Sequence, residues 1–470
     1  MKDSEKGNSK RRSLIRSRRK IERFLEMSDK NNVKLQSENT KSNFGKGWLI
    51  IFYCMFMFWF LIGFSIDGQN IVIDAFAGAH WQELGFADQT ALHAELLNLA
   101  FYAGLIGVVA YFILGRLCVM MGGRLFSAVF LALAGASYIY YGHATTTTSY
   151  FIGLTLVTIF INGAAYLGGG NLVTQWFPKK KGLANGYTTM GHNLGSALYV
   201  PLIAALIGTY GMAKGMTVTG ILGIVIAIVG YILVRNYPQE RGMYPDNVTK
   251  EVYEREYADM SEGTKSRWTV ASLLKTKEMW IVSIIIGINQ LVTTGVMSQM
   301  VPRNMELGFT QAKAIGLMTF CALIGVCGSY GFGWIDQKFG VKFAIRAFLC
   351  WYIVALLVNY TFNNMIGGYI CVAMVGIAIG AAANFMTSLP ASVFGRHNFD
   401  LVYSIYFPIM EIVLMLNYKV NSLALQLTGG LRGAYLVFIV LLAINIVLIS
   451  IIDVRKYNLD YAKEEEIINE

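Results

Sequence analysis

The amino-acid sequence predicts an all-α membrane protein with 12 transmembrane helices in two pseudo-symmetric six-helix bundles. Of the 470 residues, 55% are hydrophobic and only 14% are charged, too little charge for the surface of a water-soluble chain of this length. Twelve stretches are long and apolar enough to cross about 30 Å of hydrocarbon. A pattern of Gly and basic residues also recurs in the second half at a nearly constant offset.

One long polar stretch, residues 236–278, divides the apolar stretches into six and six. The predicted spans are 47–73, 93–115, 124–143, 148–174, 182–210, 215–235, 279–301, 312–334, 341–362, 365–389, 399–428 and 431–453. The predicted domains are a basic cytoplasmic tail (1–46), an N-terminal bundle (47–235), a cytoplasmic central loop (236–278), a C-terminal bundle (279–453) and a cytoplasmic tail (454–470).

Positive charge is concentrated on one side of this topology. An even number of spans places both termini on the same side. Of the 39 Lys and Arg residues, 34 fall on the side of the termini, 4 on the opposite side, and Lys419 lies within a span. Because basic loops stay in the cytoplasm, we predict a multi-pass plasma-membrane protein with both termini cytoplasmic.

The first 46 residues carry 14 basic and 6 acidic side chains. A basic tail can bind nucleic acid, but beside a first span it more often sets orientation and contacts anionic lipid. We therefore expect the bilayer and anionic lipid as partners, no nucleic acid, and a monomer.

The internal repeat is clearest in two loops. GRLCVMMGGR, between spans 2 and 3, and GWIDQKFGVK, between spans 8 and 9, align at a shift of 218, and a further match follows at 217. The matched pairs are Gly115 with Gly333, Gly122 with Gly340, Arg124 with Lys342, and Phe177 with Phe394. Apolar segments resemble each other by chance, but hydrophobic composition alone would not keep Gly and basic residues in step. Such repeats are common in transporters that rock two bundles around a midplane site.

These loops resemble the signature Gly-x-x-x-Asp-Arg-x-Gly-Arg-Arg of the major facilitator superfamily, and the resemblance extends over residues 47–455. Val119 and Met120 stand where the family has Asp and Arg, which leaves Asp336, one position early in the second copy, as the better candidate for the acidic latch at a helix N-terminus. The resemblance implies a cytoplasmic gate that includes Gly115, Gly122, Arg124, Asp336, Lys338 and Gly340.

Two segments are more specifically similar to the oxalate/formate antiporter family: QWFPKKKGLANGYTTMGHNLG at 175–195 and NYPQERGMYPDN at 236–247. The first also has a purely structural explanation, since Pro178 ends a helix and the lysines at 179–181 anchor the loop among headgroups.

Resemblance to oxalate exchangers implies two basic residues in the cavity, one on helix 8 and one on helix 11. Residues 314–334 contain no Arg or Lys, and Met410 and Glu411 stand near the expected position on helix 11. A small dicarboxylate is thus poorly supported, because its charges would lack paired donors.

Two titratable groups lie near the midplane. Glu411 lies about 12 residues into span 11 and His192 about 10 residues into span 5, separated by nearly the repeat shift. Since burial disfavours the charged form of each, either could exchange a proton near neutral pH, and we predict both as proton-coupling residues. The alternative is a neutral Glu411 hydrogen-bonded within the bundle and a His192 satisfied by a backbone carbonyl.

Further polar side chains lie at similar depth. Asn162 with Tyr166, and Asn289 with Thr293, are i, i+4 pairs on one helix face, and Gln290 neighbours the second pair. In the superfamily, helices 1, 4, 7 and 10 line the cavity, so the resemblance implies that these residues bind substrate. Lys419 faces the same cavity or extends to the external headgroups.

Four polar residues near the outer interface, Asp67, Asp74, His93 and Glu95, are expected to be solvated helix ends. The sequence contains no H-E-x-x-H, G-x-S-x-G or Walker motif, so we expect neither an enzyme, a metal or cofactor site, nor ATP drive.

The leading hypothesis is a secondary transporter of a small, monocarboxylate-like organic acid, coupled to protons and working by alternating access. The alternatives are an organic anion exchanger of the oxalate/formate type and a transporter-like receptor that binds without flux.

Overall fold

The computed structural model describes residues 44–178, 180–256, 268–395, 399–454 and 457. Within these residues, 12 helices are long and apolar enough to cross a membrane, as predicted. They are α1 (Gly45–His80), α2 (Gln89–Met121), α3 (Gly123–Gly142), α4 (Thr147–Trp176), α5 (Leu183–Tyr210), α6 (Met212–Leu233), α7 (Lys277–Met297), α8 (Gln311–Phe339), α9 (Val341–Phe362), α10 (Met365–Phe394), α11 (Phe399–Thr428) and α12 (Arg432–Ile451). The predictions for the two tails, 1–46 and 454–470, fall almost wholly outside the described residues.

Helices α1, α2, α8 and α10 extend further than the sequence pattern predicts. The pattern ends a span at the first polar residues, whereas the backbone hydrogen bonds of a helix do not depend on side-chain polarity and continue past them. Helix α7 ends early, at Met297, because Gln299 leaves helical geometry (φ −125°, ψ 17°), and a short helix follows at Met300–Glu306.

The helices form two bundles, as predicted. Helices α1 to α6 pack mainly on one another, as do α7 to α12, and the two halves meet chiefly where α2 crosses α11 and where α5 meets α8. The space between these two contacts is where a ligand site shared by both halves can form.

The repeated loops have the same backbone turn and the same type of hydrogen bond in both halves. Gly122 and Gly340 end α2 and α8 at φ 74° and 83°, a conformation that strains residues with a Cβ. Arg124 Nε then donates to the Tyr231 carbonyl near the end of α6 (2.8 Å). Lys342 Nζ donates to the Ile452 carbonyl at the end of α12 (2.9 Å). The repeated basic residue therefore ties the third helix of each half to the sixth.

The repeated phenylalanines occupy equivalent positions as well. Phe177 follows α4 and packs on Phe44, just before α1, with ring centroids 5.0 Å apart. Phe394 ends α10 and packs on Trp268, which precedes α7, at 5.9 Å. Each half thus fastens the chain before its first helix to the end of its fourth.

The two segments that resemble the antiporter family contact each other. The backbone N–H of Lys180 donates to Asp246 Oδ1 (2.9 Å), and its Nζ donates to the Asp246 carbonyl (3.1 Å). Trp176 Nε1 donates to the Arg235 carbonyl (2.9 Å). Lys180 thus binds the central loop within the protein, the anchoring of these lysines among headgroups stays a prediction, and Lys179 lies outside the described residues.

Three helices of the N-terminal half contain wide turns with i→i+5 hydrogen bonds, at Ile62–Ile66 in α1, Gly163–Gly169 in α4 and Gly195–Tyr199 in α5. Such turns often occur at functional sites because they interrupt the regular ladder of backbone bonds. The first two carry Ser65 and Tyr166 into the space between the halves.

Candidate transport cavity

Two adjoining spaces, lined in part by the same residues, lie between the two halves. Helices α1, α2 and α4 line them from the N-terminal half, and α7 and α11 from the C-terminal half. We call both spaces together the central cavity. Its polar lining residues are Ser65, Tyr111, Thr158, Asn162, Tyr166, Thr294, Glu411 and Tyr418.

Glu411 is the one charged residue among the described residues that line the central cavity, and it borders both spaces. No hydrogen bond or ion pair between described residues involves its carboxyl group. Burial of a carboxylate without a partner is costly, so this group favours either a proton or a ligand that donates to it.

The close crossing of α2 and α11 places Glu411 at the interface. A Cβ on Gly104 would lie 2.0 Å from Met415 Sδ, so a side chain at this position would displace the Met415 side chain from the contact. Met415 is one helical turn beyond Glu411. Packing of the halves at Gly104 therefore helps fix the depth and direction of the carboxyl group.

Helix α4 contributes hydrogen-bonding groups opposite Glu411. Asn162 Nδ2 donates to the Thr158 carbonyl (2.8 Å), and its Oδ1 has no partner among the described residues. Tyr166, one turn further along, adds a phenol to the same lining. These groups offer a polar ligand both donors and acceptors.

Aromatic rings close the central cavity on the predicted cytoplasmic side. Phe407, one turn before Glu411, has its ring centroid 5.2 Å from that of Tyr166 and 6.0 Å from that of Tyr111. We call these three rings the aromatic floor. Phe407 belongs to the C-terminal half and the two tyrosines to the N-terminal half, so the floor forms only when the halves approach.

Hydrogen bonds close the opposite side. Asn70 Nδ2 donates to the Met297 carbonyl (2.8 Å), and Asn70 Oδ1 accepts from the Val301 N–H (2.9 Å). His93 Nε2 lies 2.8 Å from Gln299 Oε1. All of these bonds join the N-terminal to the C-terminal half.

Helices α2, α11 and α1 add further bonds of this kind. Lys419 Nζ donates to Asn98 Oδ1 (2.6 Å), and Ser422 Oγ donates to the Ala94 carbonyl (2.7 Å). Nearest the cavity, Tyr418 donates to the Ser65 carbonyl (3.2 Å). We call the bonds made by Asn70, His93, Tyr418, Lys419 and Ser422 the external seal.

The structure brings together some of the predicted site residues but not others. Asn162, Tyr166 and Glu411 line the central cavity. His192 does not; its ring centroid lies 4.7 Å from that of Phe58 and 6.5 Å from that of Tyr166. Its buried Nε2 has no hydrogen-bond partner among the described residues. Its role in proton coupling stays a prediction.

The predicted residues of α7 face into the C-terminal bundle. Asn289 Oδ1 accepts from Asn445 Nδ2 (2.8 Å), and Thr293 donates to the Asn289 carbonyl (2.8 Å). Gln290 Nε2 lies 2.8 Å from the sulfur of Met386 on α10. These three do not line the central cavity, and Lys419 belongs to the external seal.

Sequence reasoning missed five of the polar lining residues: Ser65, Tyr111, Thr158, Thr294 and Tyr418. Thr158 carried a usable signal, since it precedes Asn162 by one turn on the same face. Thr294 carried no such signal. Successive residues of a helix point about 100° apart, and the sequence does not define which face of α7 is turned toward the cavity.

The expectation of solvated helix ends was wrong for Asp67 and His93, whereas Asp74 and Glu95 are half-buried. Asp67 is 3% exposed and accepts from the hydroxyl of Ser196. His93 is 6% exposed and binds Asp74. Because α1 continues to His80, these residues lie inside the packed bundle instead of at its edge.

The predicted cytoplasmic gate residues form contacts within their own halves. The Arg124 guanidinium lies 4.4 Å from the ring centroid of Tyr231, and Lys338 Nζ lies 4.8 Å from that of Trp334. A Cβ on Gly115 would meet no atom within 4 Å, and Asp336 is half-buried near the end of α8. Their role as a gate stays a prediction.

Comparison with known proteins agrees with this architecture. The oxalate:formate antiporter of Oxalobacter formigenes is 28% identical over 120 residues, which is 25% of this chain and 25% of that protein. An uncharacterised transporter of Escherichia coli strain K12, YhjX, is 19% identical over 337 residues, 70% of this chain and 79% of that protein.

Solved structures show the same fold. The D-xylose-proton symporter aligns with a TM-score of 0.63 at 12% identity, over 86% of this chain and 97% of its own. A bacterial homologue of the human lysosomal transporter Spinster aligns with a TM-score of 0.59 at 14% identity, over 86% and 96%. The family model of the Major Facilitator Superfamily matches residues 48–416. Together with the two bundles and the cavity between them, this match shows that the chain is a transporter of the major facilitator superfamily.

Proposed function

We propose that this transporter moves a small organic acid, a monocarboxylate-like anion, together with a proton by alternating access. The observation that carries the proposal is the position of Glu411, the one charged side chain among the described residues lining the central cavity.

Electrostatics favour entry of the acid with a proton. An anion beside an ionised Glu411 would place two like charges in a space of low dielectric, with no basic side chain among the described lining residues. A proton on Glu411 removes one charge and provides an O–H donor for the bound carboxylate. Asn162 and Tyr166 supply further polar contacts.

Alternating access follows from the two closures. The external seal and the aromatic floor lie on opposite sides of Glu411, and both are made between the halves. Rocking the halves would break one closure as the other tightens, which is how repeat-built transporters expose a midplane site. The halves therefore supply both the site and its gates.

The test is proton movement driven by substrate in proteoliposomes, with pyruvate and lactate as probes and an internal pH dye as readout. We expect the wild type to acidify the lumen as it imports either acid. Glu411→Gln should retain exchange of labelled acid while losing acidification. Glu95→Gln, a half-buried carboxyl outside the cavity, is the matched control and should behave as wild type. Undiminished acidification in Glu411→Gln would remove Glu411 from the mechanism.

Organic anion exchange is the second candidate. It is favoured by the similarity of a 120-residue segment to the oxalate:formate antiporter, and disfavoured because no cationic side chain is among the described residues that line the central cavity. Counterflow of oxalate against formate in the wild type, without lumen acidification, would support exchange. A receptor without transport would bind these acids and show neither flux.

The remaining proposals concern placement of the chain in the cell. We propose that it lies in the plasma membrane with both termini cytoplasmic and functions as a monomer. The concentration of basic residues on the side of the termini supports that orientation, and the basic tail would contact anionic lipid.

A further inference from the structure

His93 joins three segments at the external seal. Its Nδ1 lies 2.8 Å from Asp74 Oδ1 on α1, and its Nε2 lies 2.8 Å from Gln299 Oε1, just beyond α7. The imidazole is 6% exposed. It is therefore a buried titratable group at a contact between the halves. It has no part in the proposed proton coupling at Glu411.

The hydrogen-bond pattern fixes the number of protons in this cluster. The amide nitrogen of Gln299 donates to the Ser298 carbonyl (2.6 Å), so its oxygen is the atom that faces His93. An amide oxygen only accepts, and His93 Nε2 must therefore carry a hydrogen. A carboxylate on Asp74 also accepts, which requires a hydrogen on Nδ1.

A neutral imidazole has one N–H and cannot serve both acceptors. The bonds are satisfied when His93 is an imidazolium beside the Asp74 carboxylate, or when Asp74 is protonated and donates to Nδ1. In both arrangements the pair holds one proton more than a neutral histidine beside an ionised aspartate. The closed seal thus requires a bound proton.

We infer that the His93–Asp74 pair is a proton-binding site that latches the external seal, so that acid on the predicted external side favours the closed seal. The proton is taken up from that side when the seal closes and returns to the same side when it opens. It is a gating proton, and it does not cross the membrane with substrate.

The neighbouring charges are compatible with this site. Glu306, on the helix that follows Gln299, adds negative potential at His93, but its carboxylate is paired with Arg303 (2.9 Å). Glu95 lies on the same helix as His93, half a turn away and half-buried. Lys419, from α11, is bonded further along α2. Asp74 is the acidic group in direct contact.

The sign of the pH effect follows from linkage. A proton bound more tightly in the closed than in the open seal stabilises the closed seal by the difference in affinity. Opening separates His93 from Gln299 and admits water, which removes the requirement for a second N–H. Raising the pH should therefore populate the open seal.

This inference rests on the proposed alternating access, but not on Glu411 or on the identity of the substrate. The experiment therefore measures conformation. Nitroxide labels at Gln82→Cys and Gln311→Cys, exposed positions on the two halves near the seal, report its width by pulsed electron resonance. The full chain is studied in nanodiscs, with the exposed Cys327 and Cys350 changed to Ser.

We expect the population with wide label separation to rise roughly tenfold between about pH 6 and about pH 8.5, a coupling of ordinary size. His93→Gln and Asp74→Asn should each abolish this dependence. His143→Gln, an exposed histidine on the same side, is the matched control and should retain it.

Four outcomes decide the question. A flat wild-type profile, or an unchanged profile in folded His93→Gln, overturns the inference. Loss of the profile in Glu411→Gln alone would assign the pH effect to the cavity and also overturn it. Loss in His93→Gln with retention in Glu411→Gln supports the latch, even if Glu411 proves to have no part in proton coupling.

Discussion

The external seal and the aromatic floor close the same cavity by different chemistry. Toward the predicted external side, the five side chains of the external seal make hydrogen bonds between the halves, and Asn70 alone makes two. Toward the predicted cytoplasmic side, the contact consists of the ring of Phe407 against two tyrosines.

Apolar side chains on the cytoplasmic side of the aromatic floor are exposed. Val119 and Met120 on α2 and Tyr330 on α8 are among the most exposed apolar side chains. The basic residues of the repeated loops bind carbonyls of their own halves. The described contacts between the halves are therefore hydrogen bonds on the predicted external side and aromatic ring contacts around Phe407 on the predicted cytoplasmic side, and we expect the two closures to respond differently to substitution.

The largest expected effect is at Asn70. Asn70→Ala would leave the Met297 carbonyl and the Val301 N–H buried without partners, but only while the seal is closed. We expect the closed seal to lose about 3 kcal/mol, which raises the open population about a hundredfold. The label pair at Gln82 and Gln311 measures it.

Asn445→Ala is the control for this prediction. Asn445 makes comparable buried bonds, to the Ile285 carbonyl (2.9 Å) and to Asn289, but entirely within the C-terminal half. It should lower the melting temperature and leave the seal population unchanged. An equal rise of the open-seal population in both variants would show that bonds between the halves do not stabilise the closed seal more than bonds within one half.

A smaller effect is expected at the aromatic floor. Phe407→Leu removes ring contacts worth about 1 kcal/mol. A cysteine introduced by Thr158→Cys should then react about fivefold faster with a thiol reagent added from the cytoplasmic side. Phe348→Leu, whose ring packs on Phe385 within the C-terminal half (5.4 Å), is the matched control. An unchanged rate in Phe407→Leu would mean that the floor is not the inner closure.

The smallest effect is expected at Lys419, and it separates two roles. Lys419→Met removes one bond to Asn98 at a half-buried position, so we expect about a threefold rise in open seal and no change in KM for an acid that the wild type transports. Lys313→Met, at an exposed lysine on the same predicted side, should change neither the open-seal population nor KM. A raised KM with an unaltered seal would restore the hypothesis that Lys419 binds substrate.

The sequence predicted much of the fold because burial in lipid leaves a strong one-dimensional record. Apolar length located all 12 helices, and the repeated Gly122 and Gly340 marked turns whose positive φ values coincide. The exceptions have a common cause: α1 and α2 continue past polar residues, since helical hydrogen bonding does not depend on the side chain.

The sequence identified cavity-lining residues only where their depth along a membrane-spanning helix was enough to single them out. Glu411 and Asn162 were found because a polar group at the midplane is costly unless it faces a cavity or a partner. Asn289 satisfied the same criterion and found a partner in Asn445, within one half. Depth identifies polar groups that need partners, but it does not say whether the partner is a ligand or a neighbour.

Hydropathy and residue spacing were enough to locate the twelve helices, the internal repeat and a carboxyl group at mid-depth. Which polar groups meet across the halves became clear only from the folded chain: Thr294 faces the cavity and Asn289 does not, and His93 binds Asp74 and Gln299. The physical reason is that hydropathy depends on position along the helix axis, whereas these contacts depend on rotation about it, which is set by packing at points such as Gly104 on Met415.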